Sequence, residues 1–181
     1  MTARVENIQS YAFKSGDRLF FDTNIWFFIN GPQAGSSERR QRVYSHAYKE
    51  IISRGICIYI DVNVLSEFIN RWARFAYNLW IEENGFIEFK QYRQMEEFKE
   101  VAGDIAESVD RILIDCSVVL VPYEKAVLND FVDLFRTGEY DFNDLMLHHV
   151  CQKCDYTLVT DDADFIRSDI HILTANRSLL S

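Results

Sequence analysis

The sequence lacks the features that would place the protein in a membrane or send it through one. No apolar run approaches the roughly 18 residues that a membrane-spanning helix needs. Residues 1–18 contain no apolar segment behind a basic start, the pattern typical of a signal peptide. We therefore expect a cytoplasmic protein. The four cysteines are then expected to be reduced, because the cytosol keeps thiols free.

Positive charge is also scarce. The chain has 19 Lys and Arg residues against 28 Asp and Glu residues, a formal net charge of −9. This balance disfavours a protein that coats nucleic acid by neutralising many phosphates, so any contact with nucleic acid must be local. The acidic excess is typical of ordinary solubility or of carboxylates gathered at a metal site. The positions of the acids decide between the two.

Five short apolar runs alternate with stretches of helical periodicity. The chain of 181 residues, 48% of them hydrophobic, fits one domain (1–181) with a full core. Strands that alternate with helices predict an α/β fold, here with a central parallel sheet of four to five strands. The predicted strands are Leu19–Phe21, Ile56–Ile60, Ser117–Val121, Tyr156–Thr160 and Ile170–Leu173.

Two regions lie outside this alternation. Residues 1–18 form an N-terminal extension before the first predicted strand. The stretch at about 81–115 is charged, aromatic and longer than a crossover between two strands requires. We interpret it as an inserted helical hairpin.

Acidic residues follow the predicted strands, at the edge where open parallel sheets bind their ligands. Four separate parts of the chain deliver carboxylates to this edge. In chain order the acids are Asp22, Glu67, Asp144 and the group Asp161, Asp162 and Asp164. Close carboxylates repel each other unless a cation lies between them. Because oxygen ligands suit hard ions, the pattern predicts a site for Mg²⁺ or Mn²⁺.

Each acid also has a purely structural interpretation. An Asp at the end of a strand, such as Asp22 or Asp61, commonly caps the next helix. Glu67 can pair with Arg71 at i+4, and the helix dipole favours a carboxylate at the first-turn position of Asp144. The acids after the fourth strand can form a capping turn. A shared site explains why acids occur at every one of these strand ends, and we favour it.

A zinc site in the segment 148–154 is the other metal hypothesis. His148, His149, Cys151 and Cys154 have spacings that zinc ligands use. Both cysteines, however, lie on the apolar stripe of a predicted helix, and no second Cys or His pair completes the ligand set. We therefore expect these cysteines in the core.

Four segments carry motifs in a fixed order: Leu19–Asn24, Val64–Phe68, Asp144–Leu147 and Leu158–Phe165. In this order they resemble the PIN-domain family, and the resemblance spans residues 19 to 173. It implies a three-layer α/β/α fold. It also implies a metal-dependent ribonuclease in which a metal-activated water hydrolyses RNA phosphodiester bonds.

The resemblance also implies roles for individual residues. The catalytic metal ligands are Asp22, Glu67, Asp144 and Asp162, with Asp164 and Asp141 as second-tier ligands and with Thr23, Asn24 and Thr160 in support. The Thr-x-Asp spacing favours Asp162 over Asp161, and a one-residue shift of the turn would reverse that choice. Arg71 and Arg74 share the polar helix face with Glu67, and we predict that they contact RNA phosphates. Arg39, Arg40 and Arg42, at the start of a neighbouring helix, are weaker candidates for such contacts, because a solvated helix face also explains them.

Some members of this family are toxins of toxin–antitoxin pairs. The resemblance therefore implies an antitoxin protein as a partner and a homodimer as the assembly. The N-terminal extension and the insertion make the chain longer than the compact toxins. The alternative is a catalytically weak or inactive PIN scaffold that acts as an RNA- or protein-binding regulatory module.

Overall fold

The computed structural model describes residues 4–32 and 37–180, without the side chains of residues 166 and 167. Residues 1–3, which begin the predicted N-terminal extension, lie outside this part. The described strands are β1 (Arg4–Asn7), β2 (Arg18–Phe21), β3 (Cys57–Ile60), β4 (Cys116–Val118), β5 (Thr157–Val159) and β6 (His171–Thr174). The described helices are α1 (Thr23–Asn30), α2 (Glu38–Ser53), α3 (Val62–Asn84), α4 (Phe89–Tyr92), α5 (Glu96–Asp115), α6 (Lys125–Arg136) and α7 (Phe142–Cys154), with a 3-10 helix at Ala163–Arg167.

The strands form one parallel sheet in the order β1-β6-β5-β2-β3-β4, with the helices flanking it. This arrangement confirms the predicted α/β/α fold. Because every strand runs in the same direction, the segments that follow the strands emerge at one edge. The segments after β2, β3 and β5 therefore enter the region where the acids were predicted to meet.

The five predicted apolar runs are strands β2 to β6, with boundaries shifted by a few residues. The sheet has a sixth strand, β1, which lies in the N-terminal extension and pairs with β6 through Val5 and Ile172. Its sequence, Arg-Val-Glu-Asn, contains no apolar run, and its residues are exposed or half-buried at the sheet edge. The hydrophobic pattern therefore could not reveal it, and the predicted count of four to five strands was too low.

The core lies on both faces of the central strands. Leu19 and Phe20 in β2 and Leu158 in β5 are fully buried, together with Trp26 in α1. Strands covered on both faces are mostly apolar, which is why they appear as continuous apolar runs. The first polar side chain after each strand is therefore placed at the rim of the core.

The insertion consists of the C-terminal part of α3 followed by α4 and α5. Helix α3 ends at Gly85, whose positive φ of 88° lies in a region that side chains rarely adopt. Helix α5 packs against α3, and the rings of Tyr77 and Trp80 contact Tyr92 across the turn. None of the helices in residues 4–32 and 37–180 is both long enough and apolar enough to cross a membrane.

Candidate metal centre

Asp22 and Asp61 both precede a helix, but only one of them caps it. The Asp61 carboxylate accepts a hydrogen bond from the backbone N–H of Val64 at 2.9 Å, which confirms its predicted role as the N-cap of α3. The carboxylate of Asp22 makes no such bond to α1. Helix capping therefore explains Asp61 and does not explain Asp22.

The Asp22 carboxylate is held by two side chains instead. Its Oδ2 atom accepts hydrogen bonds from Thr160 Oγ1 at 2.6 Å and from Asn24 Nδ2 at 2.6 Å. Asn24 also accepts a bond from the backbone N–H of Asp161 through Oδ1. The ends of β2 and β5 are thus tied together around a carboxylate that is only 8% exposed. Thr160 and Asn24 lie where the sequence predicted supporting residues.

A cavity of 510 Å³ opens at this edge of the sheet. It is lined by all six acids that the sequence predicted as ligands: Asp22, Glu67, Asp141, Asp144, Asp162 and Asp164. They come from the end of β2, from α3, from the start of α7 and from the turn after β5. Segments far apart in the chain are therefore brought to one site. Asp61, Asp161 and Arg40, a weaker candidate of the sequence for phosphate contact, line the cavity as well. Asn63 and Asn143 also line it and were missed, because no motif of the sequence marks them.

The start of α7 supplies two of these acids in different ways. Asp141 is the N-cap, and its carboxylate accepts a hydrogen bond from the backbone N–H of Asn143 at 2.8 Å. Asp144 lies in the first helical turn and is half-buried. The cap is filled by Asp141, so the Asp144 carboxylate remains available to the cavity.

The turn after β5 distinguishes between its two neighbouring aspartates. Asp161 forms an ion pair with Arg40, Nε to Oδ2 at 2.6 Å, and accepts a hydrogen bond from the Tyr44 hydroxyl at 2.8 Å. Asp162 accepts only a local bond from the backbone N–H of Asp164. Both aspartates line the cavity, but Asp161 is already paired with Arg40 of α2, so the geometry favours Asp162 as the metal ligand.

The acids of the cavity raise one another's pKa. Burial raises the pKa of Asp22 to about 6, and the charges of Glu67 and Asp162 add to the effect. Burial likewise raises the pKa of Asp144 to about 7, with further contributions from Asp22 and Asp162. The pKa of Glu67 is also raised by burial, although Thr23 and Arg71 oppose the increase. The site thus concentrates negative charge that Arg40 and Arg71 offset only in part.

The donor set suits a hard, hydrated divalent cation. Among the described residues, no three Asp, Glu, His or Cys side chains are close enough to ligate one ion together. Mg²⁺ does not require such a cage, because it commonly binds through one or two carboxylates and keeps several waters. The hydroxyl of Thr23 is buried at the cavity, near enough to Glu67 to lower the pKa of that carboxyl, but no described atom completes a full hydrogen bond with it. An ordered water of a hydrated ion would satisfy it.

The two predicted phosphate contacts differ in position. Arg71 lines the cavity, with its guanidinium 4.7 Å from the ring centre of Phe27. Arg74 is not among the cavity residues and instead lies 3.8 Å from the ring centre of Phe89. Phe89 belongs to the insertion and holds Arg74 away from the cavity. Only Arg71 therefore lies at the cavity, although both arginines share the helix face with Glu67.

The His and Cys residues of α7 form no second metal centre. Cys151 is buried in the core, as its place on the apolar stripe predicted, and Cys154 packs against the core. The Nε2 atom of His148 lies 2.8 Å from a carboxylate oxygen of Asp169. Within the described ranges, no group of His, Cys, Asp or Glu side chains is arranged to hold zinc.

Comparison with known families agrees with this geometry. The family model described as PIN domain matches residues 19–170, which include β2 to β5 and every acid of the cavity. A search of curated proteins found no match to the chain. PIN domains have a nuclease-type fold. The match covers well over half of the 181 residues, and the chain therefore belongs to the PIN domain family.

Proposed function

We propose that the protein is a ribonuclease that hydrolyses RNA phosphodiester bonds with the help of Mg²⁺ or Mn²⁺. The observation that carries the proposal is the set of acids at one edge of the sheet. Asp22, Glu67 and Asp144 share a cavity, and each has a raised pKa. Such a cluster is costly to the fold unless a cation neutralises it, which is the condition that a metal-dependent nuclease meets in use.

The metal would lie among four carboxylates that line the cavity, Asp22, Glu67, Asp144 and Asp162, and an ion that keeps several waters needs only one or two of them as direct ligands. When bound, the ion lowers the pKa of a coordinated water and offsets the charge that develops on the phosphoryl group. In the overall reaction the water oxygen bonds to phosphorus, and the bond from phosphorus to the leaving sugar oxygen breaks.

The chain's own residues position these groups. Thr160 and Asn24 fix the Asp22 carboxylate by donating to its Oδ2 atom. The hydroxyl of Thr23 can hold a water, and Arg71 at the cavity wall can bind a substrate phosphate. None of these residues needs to form a covalent bond with the RNA.

The test is cleavage of a panel of single-stranded and hairpin RNAs with Mn²⁺, with Mg²⁺ or with chelator. We expect cleavage only with metal, and its loss in the double variant Asp22→Asn/Asp144→Asn. The variant Asp155→Asn, which changes an exposed acid at the C-terminal end of α7, is the matched control and should cleave like the wild type. Cleavage that survives the double substitution would contradict the proposal.

The toxin role, the antitoxin partner and the homodimer stay predictions. Helix α6 supports a protein partner, because it exposes Val132, Leu134 and Phe135 on a solvent-facing surface. Induced expression in a bacterial host should slow growth if the protein is a toxin, and the double variant Asp22→Asn/Asp144→Asn should not. Unchanged growth with the wild-type chain would exclude the toxin role and leave the nuclease proposal intact.

A further inference from the structure

A line of basic side chains runs along one face of α2. Arg39, Arg42, His46 and Lys49 occur at positions i, i+3, i+7 and i+10, which lie on the same side of an α-helix. We call these four residues the basic stripe. All four are exposed.

The basic stripe is continuous with the acidic cavity. Arg40 lines that cavity and also a neighbouring depression of 210 Å³, which it shares with Arg39 and Arg177. Arg39 lines the next depression, of 610 Å³, together with Arg42. Arg42 in turn lines a third, of 350 Å³, with Lys49. Because each depression shares a residue with the next, they lie in a row that begins at the acids.

The charge of α2 is unusual for this chain. The helix contains four Arg and Lys residues against two Glu residues, whereas α5 contains two basic residues against seven acidic ones. Arg39, Lys49 and Arg177 have no carboxylate within ion-pair distance among the described side chains. Arg42 has only an exposed contact with Glu38 at 3.7 Å. These charges are therefore available to a ligand.

We propose that the basic stripe binds the backbone of the single-stranded RNA that enters or leaves the acidic cavity. The proposal rests on the ribonuclease function proposed above and specifies where its substrate lies. An acidic cavity repels phosphates, so the affinity for the strand must come from cations beside it. From Arg39 to Lys49 the helix rises by about 15 Å, the length of roughly four stacked nucleotides at ~3.4 Å each.

The experiment measures RNA affinity separately from cleavage. The full chain carrying Asp22→Asn/Asp144→Asn, in Mg²⁺ buffer, is titrated against a fluorescent single-stranded RNA of 12 nucleotides over a range of salt concentrations. Adding Arg39→Gln/Arg42→Gln/Lys49→Gln should raise the Kd about tenfold or more. It should also lower the slope of log Kd against log salt by roughly 2, because each lost phosphate contact removes about 0.7. Circular dichroism verifies that both chains are folded.

The matched control removes three basic side chains elsewhere. Lys90→Gln/Arg93→Gln/Lys125→Gln changes the net charge equally at exposed positions of α4, its C-cap and α6. We expect this variant to keep the RNA affinity and the salt slope. An equal loss in both variants, or no loss in the stripe variant, overturns the proposal, and the latter result would leave α2 as a surface for a protein partner. If the wild-type chain cleaves no RNA but binds it through the stripe, only the ribonuclease function is contradicted.

Discussion

The two ends of the parallel sheet each carry a polar cavity, and they differ in how their acids are partnered. The cavity at the amino ends of the strands is the larger, 780 Å³ against 510 Å³. There Glu6 lies 2.8 Å from both Arg4 and His171. Asp169 contacts His148, and this hydrogen bond lowers the pKa of Asp169. Glu6 and Asp169 are therefore each paired with a basic side chain.

At the carboxyl ends of the strands Asp161 is paired with Arg40, but Asp22 and Asp144 form no ion pair with any described side chain. The pKa values of Asp22 and Asp144 are raised to about 6 and about 7, in the opposite direction to that of Asp169. The size of a cavity therefore does not identify the functional end of this sheet. We place the proposed function at the carboxyl ends because Asp22 and Asp144 are unpaired there, and a fold retains such repulsion where a cation offsets it.

The largest effect expected from this comparison is on RNA cleavage. Asp144→Asn should reduce the rate at least about 100-fold, the scale of losing one preorganised electrostatic group at a reacting phosphate. Asp169→Asn removes an acid of the opposite end and should change the rate little. The measurement is the initial rate on one RNA with saturating Mn²⁺. Similar losses in both variants would show that the two ends do not differ in function.

The second prediction concerns the bond network behind the acidic cavity. The Tyr44 hydroxyl donates to Asp161 at 2.8 Å and accepts from the backbone N–H of Ala175 at 2.9 Å. Tyr44→Phe should cost about 1–3 kcal/mol in urea unfolding, because two buried groups lose a partner. At the other end, Tyr11→Phe removes one partly buried bond to Asp17 and should cost about 0.5–1.5 kcal/mol. A larger cost at Tyr11 would reverse the comparison.

The third prediction concerns pH in the absence of metal. A carboxyl group whose pKa is raised on folding binds its proton more tightly in the folded chain, so it favours folding below its ordinary value of 3.8. That stability is lost as the pH rises from about 4 to about 7. Asp144→Asn should therefore raise the Tm at pH 8, by roughly 2–4 °C for each kcal/mol recovered, and should have little effect at pH 4.

The control for this pH experiment is Asp169→Asn, because the pKa of Asp169 shifts downward. Its substitution should not raise the Tm at pH 8. Thermal unfolding with chelator at pH 4, 6 and 8 supplies the measurement. A Tm of Asp144→Asn that parallels the wild type at all three pH values would mean that Asp144 is not repelled in the folded chain.

The smallest effect is expected at the amino end. Glu6→Gln removes the exposed pairs with Arg4 and His171, and pairs of this kind contribute about 0–1 kcal/mol. Urea unfolding should detect a loss within that range that shrinks as salt is added. A loss of several kcal/mol would mean that this end also holds strongly coupled charges.

The sequence predicted those parts of the fold that depend on local patterns. Apolar runs indicated β2 to β6, because strands buried on both faces of a parallel sheet are mostly apolar. Strand β1 was not predicted, because it is an edge strand whose stability comes from pairing with β6. No local sequence pattern contains that contact. The acids could be singled out for a similar reason, since each lies just after a recognisable strand or within the first two turns of a helix.

Side-chain partners from distant segments could not be predicted. The pair between Arg40 and Asp161 joins α2 to the turn after β5 across 121 positions of the chain, and only the folded geometry shows that it leaves Asp162 to the cavity. Arg74 shows the converse case. Its helical phase placed it beside Glu67, and Phe89 from the insertion binds it elsewhere.

The most direct test of the metal site is the melting temperature as Mn²⁺ is added, since this measurement requires no knowledge of the RNA. An ion that binds only the folded chain stabilises it by about 2.7 kcal/mol at 100 times its Kd, which is roughly 5–10 °C for a protein of this size. We predict such a rise for the wild type and none for Asp22→Asn/Asp144→Asn. Equal rises in the two proteins, or no rise in either, would contradict a metal centre at the carboxyl end of the sheet.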